Sequence, residues 1–164
     1  MVTALLLAVG IAAPPSERLV SVSLWVSANV PASAGPRLGV QIGPFEVYGG
    51  FDPIALNVIL DDQVTGYTFP WVAGARAHLP LPIGGERGDV FAGVEFSRWR
   101  ATIHHDFDEV YRRASGLVGV RWQWGVGMFE LAAGMTHWEE TRQFSNYEFR
   151  ALLPAVEVGT GLTF

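Results

Sequence analysis

Cysteine and lysine are both missing from this 164-residue chain. Without cysteine there is neither a disulfide framework nor a thiolate metal site. All eleven basic residues are arginine, the net charge is −5, and no basic stripe runs through the sequence, so the footprint of nucleic-acid binding is absent. Charged residues as a whole are scarce, at 16%. The longest apolar run, Met1 to Ala13, is too short to cross a bilayer as a helix. Helical periodicity is nearly absent beyond it. In excess are glycine, with nineteen residues, and aromatics, at 12% with six tryptophans, more than an ordinary soluble domain carries.

Segment 1–13 reads as the apolar part of a secretory signal peptide, with Gly10, Ile11 and Ala12 offering small residues at cleavage spacing. It lacks a basic leading stretch, so as a leader it is incomplete; the alternative is a buried first strand or helix. An exported chain with no candidate membrane helix can span a bilayer only with strands.

Alternation with a period of 2 recurs eight times. Val20, Val22, Leu24, Val26 and Ala28 oppose Ser21, Ser23, Trp25, Ser27 and Asn29. Leu38, Val40 and Ile42 oppose Gly39 and Gln41; Phe45, Val47 and Phe51 oppose Glu46, Tyr48 and Asp52. Tyr67, Phe69, Trp71, Ala73, Ala75, Ala77 and Leu79 face away from Thr68, Gly74, Arg76 and His78. Further segments run through Val90 to Ser97, Val118 to Trp124, Phe129 to Thr136, and 149–164. Gly43-Pro44, Gly125-Val126 and the stretch around Gly84 make tight connections, while "ILDDQVTG", "TIHHDFDEVYRR" and "EETRQFSNYE" are longer and charged. "PASAGP" is read as a short first connection on the long-loop side, and Pro70 and Pro154 are expected at the outer rim.

A soluble lipocalin-like barrel would share this alternation. Glycine on the polar parity, sparse charges of both signs there, and aromatics on the apolar parity near the strand ends favour a narrow packed lumen with a lipid-facing wall. The predicted fold is therefore all-β: an eight-stranded antiparallel, up-and-down transmembrane β-barrel over residues 18–164.

The final strand, with Val156, Val158, Leu162 and a last Phe164, resembles the β-signal read by the outer-membrane barrel assembly machinery. Residues 18–164 resemble the small eight-stranded bacterial outer-membrane barrels of the OmpA/OmpX type. That resemblance implies a bacterial outer-membrane location, loops facing outward, both termini in the periplasm, and an assembly signal at Leu162 and Phe164.

Candidate sites follow from parity. Gln41, Glu46, Arg76, Glu95, Arg121, Glu130 and Glu157 fall on the lumen parity and are expected to form a polar network that blocks conduction. Counting outward from the tight turns sets Arg121 opposite Glu130 and Gln41 opposite Glu46, with Arg76 and Glu95 at similar heights. Arg98, Arg100, Arg112 and Arg150 lie on the apolar parity beyond the expected membrane band, where guanidinium groups could hold lipopolysaccharide phosphates; interfacial snorkelling is the plainer alternative. His104, His105, Asp106, Asp108 and Glu109 read as a solvated loop rather than a metal site, since no ligand spacing is present. His137, Glu139, Glu140 and Ser145 are the ingredients of a lipid A-modifying hydrolase or acyltransferase, without a matching motif. The expectation is a non-enzymatic, monomeric envelope protein with no cofactor and no metal. Its partners would be outer-membrane lipids, lipopolysaccharide and the assembly machinery.

Overall fold

The computed structural model describes residues 20–30, 33–52, 64–67, 70–83, 86–103, 107–142 and 147–164; the expected leader at 1–13 lies outside them. The strands are β1 (Val20–Val30), β2 (Ser33–Ile42), β3 (Phe45–Phe51), β4 (Val64–Tyr67), β5 (Trp71–Ile83), β6 (Glu86–Ile103), β7 (Phe107–Trp124), β8 (Gly127–Arg142) and β9 (Tyr147–Thr163). β4 and β5 both pair with β6 and occupy one wall position, interrupted near Pro70. The wall is thus an eight-stranded closed antiparallel β-barrel in up-and-down order, with β1 pairing to β9. Phe164 extends that closure through backbone hydrogen bonds in both directions with Val22, at 2.8 and 3.0 Å.

Gly43 and Gly125 open the two-residue hairpin turns at φ 57° and 59°, the left-handed conformation such a turn asks of its first central residue. The turns gather β2–β3 and β7–β8 at one end of the barrel, together with the β5–β6 connection and Phe164; this is the turn end. The longer connections leave from the other, the loop end.

Which face points where follows the alternation closely. Leu24, Val26, Leu38, Ile42, Phe45, Val47, Val94, Phe96, Val118, Leu152, Val156 and Val158 are exposed on the outside of the wall. Trp25, Tyr48, Arg76, Glu95, Arg121, Glu130 and Glu157 are buried inside it. Trp122 and Phe129 pair on the outer face with ring centroids 5.7 Å apart, beside Trp124 and Phe164 at the turn end. Trp71 is exposed toward the loop end, while the side chains of Tyr67 and Phe69 lie outside the described residues.

Several expectations about strand limits are corrected. Of the charged stretches expected as loops, 102–103 belong to β6, 107–113 to β7, 139–142 to β8 and 147–148 to β9. Glu109 is a buried strand residue rather than part of a solvated loop, because the hairpin ladders of the second half extend past the apolar band. β2 starts at Ser33, so "SAGPR" is strand and only Pro31 and Ala32 separate it from β1. Pro154 is not at a rim: the β8–β9 register runs past it without a break to Arg142 opposite Tyr147. The reason is a stagger of the wall. Among the described residues the last β9–β1 pair is Val156 with Val30, two positions from Pro154, so no described ladder is interrupted on that side. Pro36 lies just past the end of the β2–β3 ladder at Arg37, and Pro80 and Pro82 lie past the end of the β3–β5 ladder at Ala77. Among the described residues, each of these prolines lies beyond the last pair on one side.

Candidate functional site

The lumen is filled by side chains that meet across it. Near the turn end, Arg121 on β7 donates through Nε to Glu130 at 2.6 Å and through Nη2 to Glu46 at 2.7 Å. Arg76 on β5 donates through Nη1 to both Glu130 oxygens, at 3.0 and 2.8 Å, and through Nη2 to Glu157 at 2.6 Å. β5 and β9 are diametrically placed in the closed order, so the Arg76–Glu157 pair bridges the full bore. The Arg76 guanidinium also lies over the rings of Tyr48 and Phe91, 4.7 and 4.5 Å from their centroids, and near Trp25 at 5.4 Å. With Glu46 4.0 Å from Nη1, three carboxylates and three rings surround one cation, which suits a planar, weakly hydrated guanidinium better than an ammonium.

Arg121 and Glu130 are opposed in register, as are Gln41 and Glu46. Gln41 also accepts from Arg121 Nη1 at 3.5 Å. Arg76 and Glu95, placed at similar heights by counting, do not pair. Glu95 stands opposite Gly74, accepts from the Tyr48 hydroxyl at 3.2 Å, pairs with Arg113, and has Arg37 Nε at 3.6 Å.

Several interior residues carry no signal in the hairpin count. His78 is held between Asp89 at Nδ1, 2.7 Å, and Glu46 at Nε2, 3.2 Å. Arg37 and Arg113 are both buried. Arg113 shares the inner face with Ser115 and Arg121, so the strand alternation alone is enough to place it inside. Phe91, Leu117, Ala132 and Ala155 form an apolar cluster within the same lumen. Toward the loop end Trp99 stacks on Tyr111, centroids 3.8 Å apart, with Trp138 edge-on, and the Tyr111 hydroxyl donates to Glu109 at 2.5 Å.

The rim arginines point outward. Trp71, Arg98, Arg112, Glu139 and Arg150 are opposed in register across β5 to β9, a single row around the outer face. Glu139 is shared by Arg112 at 3.1 Å and Arg150 at 3.0 Å, and Arg150 also meets Glu148. Arg100 is exposed on the same face. A shallow cleft of about 280 Å³ opens beside this row, lined by Trp71, Phe96, Arg98, Arg112, Ala114 and His137 among others.

His137 and Glu139 share the outer face with that row, whereas Glu140 stands opposite Tyr111 on the other parity. Ser145, His104, His105 and Asp106 lie outside the described residues; Asp108 and Glu109 are on β7. Leu162 and Phe164 are exposed on the outer face of the closing strand. No protein-family model matches this sequence, and neither the curated proteins nor the solved structures contain a significant match to it.

Proposed function

We propose that this chain is a non-enzymatic barrel of a bacterial outer membrane, monomeric, with a plugged polar lumen and both termini on the periplasmic side. In this reading its loops and arginine rim meet lipopolysaccharide and other surface molecules. The observation that carries the proposal is the inverted sidedness of the wall: apolar residues outside, ionised residues inside. In water such a wall would expose a continuous apolar belt far beyond what soluble monomers tolerate. In a bilayer it is the stable arrangement, because a closed barrel pairs its backbone groups from strand to strand and leaves no open sheet edge to the lipid.

The dimensions agree. On β7 the outer face is uncharged between Arg112 and Trp124, and the nine residues 114–122 match the roughly 9–11 residues of a tilted bilayer-spanning strand. Trp122, Trp124, Phe129 and Phe164 make one interfacial girdle, and Trp71 belongs to the other. Arginines just beyond the band cost about 0–1 kcal/mol, against about 2–4 kcal/mol at mid-bilayer. Leu162 and Phe164 serve as the assembly signal on this reading.

Heat-modifiable gel mobility of the membrane fraction tests the proposal, with planar-bilayer recordings expected to show no large stable conductance. Recovery in the soluble fraction would favour the lipocalin-like alternative. The lipid A-modifying reading keeps one observation, the placement of His137 and Glu139 on the lipid-side face. Lipid A mass analysis with and without the protein distinguishes it, an unchanged profile being expected.

A further inference from the structure

The outer face of β6–β9 is not uniform, and its irregularity has a shape. Arg98 and Arg112 stand directly opposite each other on adjacent strands. Like charges in that relation repel. Glu139 offsets Arg112 but is shared with Arg150, and among the described residues no carboxylate lies within ion-pair distance of Arg98. His137 lines the same cleft one row further toward the turn end, beside Ala114 and Phe96. Two guanidinium groups and an imidazole therefore converge on an opening that holds one carboxylate.

Toward the turn end from that cleft, β7 presents Ala114 and then Gly116 to the outside, between Phe96 and Val94 on β6 and His137 and Met135 on β8. Gly116 is open: a Cβ built there meets nothing within 4 Å. The file continues into an apolar depression of about 470 Å³ lined by Val90, Val118, Val120, Leu131, Ala133 and Val156. From Arg112 to Val118 the strand advances about 20 Å along its axis, which at a tilt of about 45° is about 14 Å along the membrane normal, one leaflet of a hydrocarbon core about 30 Å thick. The furrow is one strand wide, which suits a single acyl chain.

From the charge at one end and the furrow leading from it, we infer that this face is a site for one phosphate-bearing lipid. Its phosphate sits between Arg98 and Arg112, and an acyl chain lies along Ala114, Gly116 and Val118. The inference rests on the membrane reading above, and deepens its arginine rim from a general interfacial contact to a defined binding site. Guanidinium forks recognise phosphate oxygens in pairs, and an anion between the two arginines removes their mutual repulsion.

The test uses the full chain refolded in neutral maltoside micelles and read by native mass spectrometry. Probes are long-chain phosphatidic acid, diacylglycerol of the same chain length, and inorganic phosphate. The wild type should retain one phosphatidic acid and no diacylglycerol, and inorganic phosphate should displace the lipid only at a hundredfold or greater excess. The Arg98→Gln/Arg112→Gln double variant should lose retention at least tenfold. Gly116→Leu, which fills the furrow from an open position, should lower it several-fold. Equal retention by the double variant, equal retention of diacylglycerol, or displacement by equimolar phosphate would overturn the site. Insertion into vesicles is scored separately by heat-modifiable mobility. Failure to insert defeats the membrane reading itself, whereas insertion without lipid retention defeats only this site.

Discussion

Arg121 and Arg112 sit nine residues apart on one strand and live in opposite worlds. Arg121 is inside the wall, fully buried, and shared by Glu130 and Glu46. Arg112 is outside, its side chain 56% exposed, with part of one carboxylate. An odd spacing along a strand is all that separates them. The interior charges are cross-braced between distant strands and hold the bore shut. The exterior ones form a single row with surplus positive charge, facing whatever surrounds the barrel. Identical side chains are braced by buried carboxylates on one face and exposed on the other.

Breaking the inner set should cost most. Glu130→Ala removes the carboxylate that both Arg76 and Arg121 use, leaving two buried cations short of a partner. A loss of about 3–5 kcal/mol is expected in urea unfolding from lipid vesicles. Glycines sharpen the contrast next. A Cβ at inward Gly134 would lie 1.9 Å from the Gly116 carbonyl oxygen, so Gly134→Ala should cost about 1–3 kcal/mol by forcing the backbone aside. Outward Gly116→Ala should be neutral within about 0.5 kcal/mol in the same assay, because a Cβ there meets nothing within 4 Å. Tyr48→Phe deletes one hydrogen bond to Glu95, and about 1–2 kcal/mol is expected. Among the polar groups the smallest effect belongs outside: Glu139→Gln weakens two exposed pairs and should cost under about 1 kcal/mol. If Glu139→Gln proved as damaging as Glu130→Ala, the division between the faces would be wrong.

Much of this was legible because a period of 2 assigns every residue of a strand to one side. The inward set of β1, from Ser21 to Asn29, is read straight from the alternation, and a two-residue turn is enough to oppose Arg121 to Glu130. The same arithmetic fails for Arg76 and Glu95, because the wall is staggered and partners are chosen across the bore, not along one hairpin. Arg76 finds Glu157, eighty-one residues away. No local count reaches that far. Interior Phe91, Leu117 and Val72 were obscured for another reason: being apolar on the polar parity, they blur the alternation that would have exposed them. The start of β2 was missed because Gly35 and Pro36 look like a turn, and they are strand only because β1 pairs along them.

The two ways of joining neighbouring strands differ in reach. The β6–β7 ladder runs from Ile103 opposite Phe107 to Arg87 opposite Gln123, joining residues close in the chain. Among the described residues the β1–β9 ladder runs from Val30 opposite Val156 to Ser23 opposite Thr163, then the Val22–Phe164 bonds, and its partners are separated by most of the sequence. Bringing such distant ends together carries the largest chain-closure entropy and returns one of the shorter ladders. The hairpins of the second half should therefore form early, with the β1–β9 seam zipping last. The same seam should be the first to open, so its amides should exchange with solvent hydrogen ahead of those between β6 and β7.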